Sequence, residues 1–146
     1  MATYQHILLA IDTSEQSTKI CDKAASLAKQ NQATLSLCHL VKTPSSDLTY
    51  EGINNVTIEM QADLLECATR HIRTIATALK ISENQQWVEF GNPSYDIVRL
   101  ADEHKTDLIV IGSHGRHGLQ LLLGSTANAV LHRAQCDVLA VRLNDS

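Results

Sequence analysis

Along the chain, short continuous apolar runs alternate with longer stretches of helical spacing. His6-Ile-Leu-Leu-Ala-Ile11 is apolar almost throughout, which predicts a strand buried on both faces. Asp12-Thr-Ser-Glu15 follows, with Ser14 placed to cap a helix in which Ile20, Ala24, Leu27 and Ala28 share one side. Residues 33–41 (ATLSLCHLV) predict a second strand, ended by the turn-like Lys42-Thr-Pro-Ser-Ser46. Residues 47 to about 54 read as a loop. The next segment carries Ile58, Ala62, Leu65, Ala68, Ile72, Ile75, Ala76 and Leu79 on one stripe and predicts an amphipathic helix.

Gln86–Phe90 (QWVEF) predicts a short third strand, punctuated by Gly91-Asn92-Pro93-Ser94. A helix bearing Ile97, Leu100, Ala101 and His104 leads to a fourth strand, Leu108–Ile111, which runs directly into Gly112. A glycine-spaced loop, a helix over about 120–133 and a fifth strand over Val138–Leu143 close the pattern. Apolar strands separated by helices imply an α/β fold: a single-domain, doubly wound, five-stranded parallel sheet with helices on both faces. No repeat, low-complexity tract or linker divides the 146 residues, so one domain is expected over 1–146.

Composition refines this picture in four places. The chain is 44% hydrophobic but only 3% aromatic, so its core must be aliphatic. A formal charge of -4 argues against a nucleic-acid partner, which calls for a basic face. Met1–Asp12 has no basic region of the kind that opens a signal peptide, and its apolar run is too short to span a membrane; a cytoplasmic location with no membrane partner is expected. Cys21, Cys38, Cys67 and Cys136 form no CxxC pair and sit within apolar patterns, which reads as four reduced, buried thiols.

Candidate chemistry concentrates in one stretch. Four of the six glycines fall between residues 112 and 124, in Gly112-Ser-His-Gly115-Arg-His-Gly118-Leu-Gln-Leu-Leu-Leu-Gly124-Ser125-Thr126. The stretch follows a buried strand and precedes a helix, at the carboxyl end of a parallel sheet where open α/β folds bind ligands. Glycine permits close backbone approach, successive N–H groups can hold an anion, and Ser125 and Thr126 add hydroxyl donors. The same glycines would also serve a tight turn and a cap. Neither GxxxxGK[ST] nor GxGxxG is present.

The spacing Gly112-x2-Gly115, then Gly124-Ser125, resembles the ATP-binding signature of the universal stress protein family. The usual form is G-x2-G-x9-G-[ST]; here the gap, Arg116 to Leu123, is eight residues. The start Tyr4-Gln-His-Ile-Leu-Leu-Ala-Ile-Asp12-x-Ser14 agrees, as do Leu37-Cys-His39, Gly91-Asn-Pro93, Asp107–Gly115 and Cys136–Val141. The resemblance spans essentially the whole chain and implies an adenine nucleotide α-hydrolase-like fold. It further implies ATP, with or without Mg²⁺, as the ligand. By the same resemblance, Asp12 contacts the nucleotide, Ala10 and Leu40 flank the adenine, and Gly112, Gly115, Gly124, Ser125 and Thr126 meet the phosphates. A homodimer through the C-terminal strand (Val138, Leu139, Ala140, Val141) is also implied.

Some alternatives remain open at this level. Asp12, read first as a ligand contact, is also of a type that caps a following turn, and Arg116 either neutralises phosphate or lies exposed in the loop. His114 and His117 form an HxxH without the glutamate or cysteines of a zinc site, so no metal is expected. His39 reads as a strand-end residue with a satisfied hydrogen bond. No nucleophile–base pair or carboxylate cluster stands out, and an SGGxDS-like loop is missing after the first strand, so turnover is not expected. The rival reading is a stress protein that acts through protein–protein contacts without nucleotide.

Overall fold

The computed structural model describes residues 3–12, 17–42, 58–113 and 124–142. In its first strand, β1 (His6–Ala10), successive residues divide between two cores. Ile7 and Leu9 face one cluster and Leu8 and Ala10 the other, all of them buried, as the two-residue period of a strand requires. A strand that is apolar on both faces must be covered on both, and the chain supplies the covers in order. They follow as α1 (Ser17–Asn31), β2 (Thr34–Val41), α2 (Ile58–Leu79), β3 (Gln86–Phe90), α3 (Pro93–Glu103), β4 (Leu108–Gly112), α4 (Ser125–Arg133) and β5 (Asp137–Val141).

The five strands are all parallel, in the order β3-β2-β1-β4-β5. The chain winds outward from β1 to β3, then returns to the far side of β1 for β4 and β5. Beneath one face, Ile20 and Ala24 of α1 and Ile72 and Ala76 of α2 meet Ile7, Leu9 and Leu37. Against the other, Ile97 and Leu100 of α3 and Ala127 and Val130 of α4 meet Leu8, Cys38 and Ile109. Single domain, parallel sheet and two helical layers agree with the sequence pattern.

Polar ties hold the amino ends of the strands. The Asp107 carboxylate accepts from the backbone N–H groups of Gln5 (2.9 Å) and His6 (3.0 Å), and Tyr4 Oη donates to Asp137 Oδ2 (2.7 Å). His6 Nδ1 donates to the His104 carbonyl (2.8 Å), while the His104 ring stacks on Trp87 with centroids 3.8 Å apart.

Three expectations need correction. The α2 stripe does not pack along its length: Ile58 and Ala62 are exposed, and the buried residues Ala68, Ile72 and Ala76 all lie in the later part of the helix. The cysteines are free, but Cys67 is exposed, to the side of the packed face of α2, and Cys136 is only half-buried, in the bend before β5. The fifth strand runs over Asp137–Val141, with Asp137 its first residue and Val141 its last. Ser14, most of the turn after Lys42, and residues 120–123 lie outside the described residues.

Candidate functional site

The site begins where the two central strands part. The β1–β4 register ends at Leu9↔Val110. Beyond it Ala10 pairs with Cys38 of β2 on one side, and Gly112 with Val141 of β5 on the other. Here the winding reverses, and open α/β sheets bind ligands outside the carboxyl ends of strands at such a switch point.

From the β1 side, Ile11 continues past the strand with its N–H donating to the Cys38 carbonyl (3.1 Å). His39, buried in β2, donates from Nδ1 to the Ile11 carbonyl (2.9 Å), the satisfied bond expected of it. Both backbone groups of Ile11 are thereby fixed, and the exposed Asp12 follows directly at the carboxyl end of the sheet.

From the β4 side, the half-buried Gly112 leads to Ser113, which is 7% exposed. Ser113 N–H donates to the Val141 carbonyl (2.8 Å), and its own carbonyl accepts from Gly124 N–H (2.6 Å). Gly112, Ser113 and Gly124 therefore meet at one junction, although ten residues separate the last two. Gly124 is the N-cap of α4, with φ -64° and ψ 160° and no side-chain cap. The first-turn N–H groups of α4 thus begin at this junction, and the N-cap residue itself supplies no side-chain cap. Ser125 is exposed and Thr126 half-buried in that turn. Gly115, Arg116, His114, His117 and Gly118 lie outside the described residues.

Ala10 and Leu40 sit deeper than the others, 4% and 5% exposed, in the core cluster shared with Ile97 and Ile111. Leu40 also borders the β3–α3 turn. A Cβ added at Gly91 would run into the Asp96 carboxylate and lie 3.1 Å from Leu40 Cδ1, so glycine is what lets this turn close. Asn92 caps α3 by accepting from Ser94 N–H (2.9 Å), with Pro93 opening the helix. Arg99 gathers Glu89 (2.6 Å), Asp96 (2.9 Å) and Glu103 (3.1 Å). Its hydrogen bond, and then that from Asn92 N–H, hold the Asp96 carboxyl below the usual carboxylate range.

Sequence reasoning passed over Ser113, whose part is played by its backbone. Its only signal was position, inside the glycine motif between Gly112 and Gly115. Among the described residues no group of His, Cys, Asp or Glu could hold a metal ion, and no helix is long and apolar enough to cross a membrane.

A doubly wound parallel sheet with a glycine junction and a helix N-terminus at its switch point is an arrangement in which open α/β folds bind ligands. The model of the universal stress protein family matches residues 3–142. Universal stress protein A homolog 2 of Coxiella burnetii is 42% identical over 147 residues, covering 100% of both chains. The solved structure of hypothetical protein MJ0577 superposes with a TM-score of 0.80 at 24% identity, covering 99% of this chain and 100% of that one. A universal stress protein solved in complex with cAMP gives 0.64 at 27% identity, covering 97% and 98%. The chain belongs to the universal stress protein family and has its adenine nucleotide α-hydrolase-like fold.

Proposed function

We propose that this protein is a cytoplasmic, homodimeric stress-response regulator that holds ATP, with or without Mg²⁺, at the carboxyl ends of β1 and β4. The observation that carries the reading is the Ser113–Gly124 junction, which sets the N-terminus of α4, opened by a glycine that offers no side-chain cap, beside the end of β4. Such a terminus favours phosphate through its N–H groups and its dipole. In this reading Gly112, Gly115, Gly124, Ser125 and Thr126 take the phosphates, with Arg116 the nearby fixed cation. Asp12 accepts from the ribose or base side, and Ala10 and Leu40 form the apolar floor under the adenine. A relative solved with cAMP supports an adenine nucleotide as the class of ligand.

Turnover should be slow, because no side chain in the described site is paired as nucleophile and base. Purified protein should hydrolyse ATP far below the ordinary enzymatic rate, on the order of 10 per second. The deciding experiment denatures freshly purified protein and reads released nucleotide by absorbance and mass spectrometry, beside calorimetric titration with ATP and with cAMP. Bound adenine nucleotide, or a titration with either ligand, supports the reading. Neither would transfer the family role to protein–protein contacts.

A further inference from the structure

Helix α2 is longer than its packing requires. Its 22 residues span about 33 Å, whereas β3 has five residues, about 17 Å. Only Ala68, Ile72 and Ala76 are buried. Beside that packed face runs a second row, Leu64, Cys67, His71, Thr74 and Ala78, with every member exposed and Leu64 at 46%. Its spacing alternates between three and four residues, the repeat that lets one helix lie along another. The exposed Met60 extends the row toward the helix start.

The charges beside this row are ordered. Glu59, Asp63 and Glu66 occupy the first half of the helix, and Arg70 and Arg73 the second. Asp63 and Arg70 lie seven residues apart on the solvent side of the row, and neither has an ion-pair partner among the described residues. A parallel copy would set like charges together. An antiparallel copy sets the acidic half of each helix against the basic half of the other, and two-fold symmetry makes every such contact twice.

We propose that α2 is a self-association surface, pairing antiparallel with α2 of a second copy about an axis near residues 65 and 66. Leu64 of each copy then packs on Cys67 of the other, and Asp63 of each lies beside Arg70 of the other. Because α2 packs on β2 and β3 while β5 forms the opposite edge of the sheet, this contact is independent of strand pairing through β5. The two together would build a dimer of dimers. One helix pair makes a small interface, which places the contact in the weak, transient class.

Sedimentation equilibrium from about 1 µM to 1 mM, a range suited to weak interfaces, tests the proposal on four full-length proteins. They are the wild type, Asp63→Arg, Arg70→Asp and the double reversal, each also carried on an Ala140→Pro background that disables strand pairing. The Asp63 and Arg70 changes fall at exposed positions of α2, and circular dichroism verifies the fold of every variant, those carrying Ala140→Pro included. A doubling of mass in the wild type, weakened about tenfold by either single reversal and restored by the double, supports the pairing. On the Ala140→Pro background the same pattern should appear one level lower, from monomer to dimer. A wild type of constant mass overturns the proposal. So do single reversals that associate normally, or a double reversal no better than its parents.

Discussion

His39 Nδ1 donates to the Ile11 carbonyl across 2.9 Å, tying the end of β2 to the residue that presents Asp12. Ile11 is only 7% exposed, so its carbonyl would find little water if the imidazole were removed. His39→Leu should cost about 1–3 kcal/mol, the penalty of an unsatisfied buried acceptor. Urea melts followed through Trp87, the single tryptophan, measure this directly. Nucleotide affinity should fall as well, because Asp12 loses its anchor. A variant with wild-type stability and affinity would show that the bond positions nothing.

Backbone direction decides where β5 can accept a partner strand. The Val141 carbonyl accepts from Ser113 N–H, so Val141 directs its backbone groups inward at β4. Alternation then points the backbone of Val138 and Ala140 at the free edge. Proline is tolerated where its missing N–H faces outward, but not within the ladder. Ala140→Pro should therefore convert a β5-paired dimer to monomer while the melting temperature stays close to wild type. Val141→Pro should instead destabilise the sheet itself. Light scattering with thermal melts separates the two outcomes, and a dimer that survives Ala140→Pro would place the interface elsewhere.

Three helices end on residues held at positive φ without being glycine: Gln32 (55°), Lys80 (60°) and Lys105 (55°). Each is followed by an N–H that reaches back five residues, Ala33 to Ala28, Ile81 to Ala76 and Thr106 to Ala101, the closing bond of a helix C-terminus. A side chain in that conformation costs roughly 1–2 kcal/mol, which glycine avoids at some entropic expense. Lys80→Gly and Lys105→Gly should each stabilise by up to about 1 kcal/mol in urea melts. A loss of stability in both would mean that the lysine side chains contribute contacts worth more than the strain.

The strands were legible because both faces of the sheet are covered, which leaves continuous apolar runs at His6–Ile11 and Leu108–Ile111. The turn chemistry was legible too, since Asn92 and Pro93 act locally. Long-range packing was not. Ile58 and Ala62 belong to the same helical stripe as Ile72, yet the sheet ends before the helix does, and no local pattern carries that length difference. Cys67, one residue from the buried Ala68, is exposed instead because it lies to the side of the packed face. Thiol titration reads it out. Burial pushes the Cys38 thiol up to about 12 and the Cys21 thiol up to about 11, with Asp22 adding to the latter. At pH 8 one thiol, Cys67, should react quickly with a disulfide reagent and Cys136 more slowly, while Cys21 and Cys38 should wait for denaturant. A Cys67 that reacts no faster than Cys21 and Cys38 would contradict the packing of α2.

Gly124 offers the sharpest test of the nucleotide site. Its φ of -64° is open to any residue, so a substitution there brings no left-handed strain. What a side chain adds is bulk at the junction with Ser113, where phosphate oxygens would approach the first turn of α4. Gly124→Val should weaken ATP binding at least tenfold, about 1.4 kcal/mol. Its effect on the fold should stay near the loss from placing valine at an N-cap, about 1 kcal/mol. Gly124→Ser separates cap from cradle, because serine is a good N-cap yet turns its hydroxyl toward the same N–H groups that phosphate would use. It should melt at or above the wild-type temperature and still bind ATP more weakly. Gly118→Ala, between the motif glycines, serves as the control and should bind within a factor of about two. Calorimetry and thermal melts on the four proteins give both quantities. If Gly124→Val binds ATP as the wild type does, the nucleotide lies elsewhere and the assignment of the α4 terminus fails.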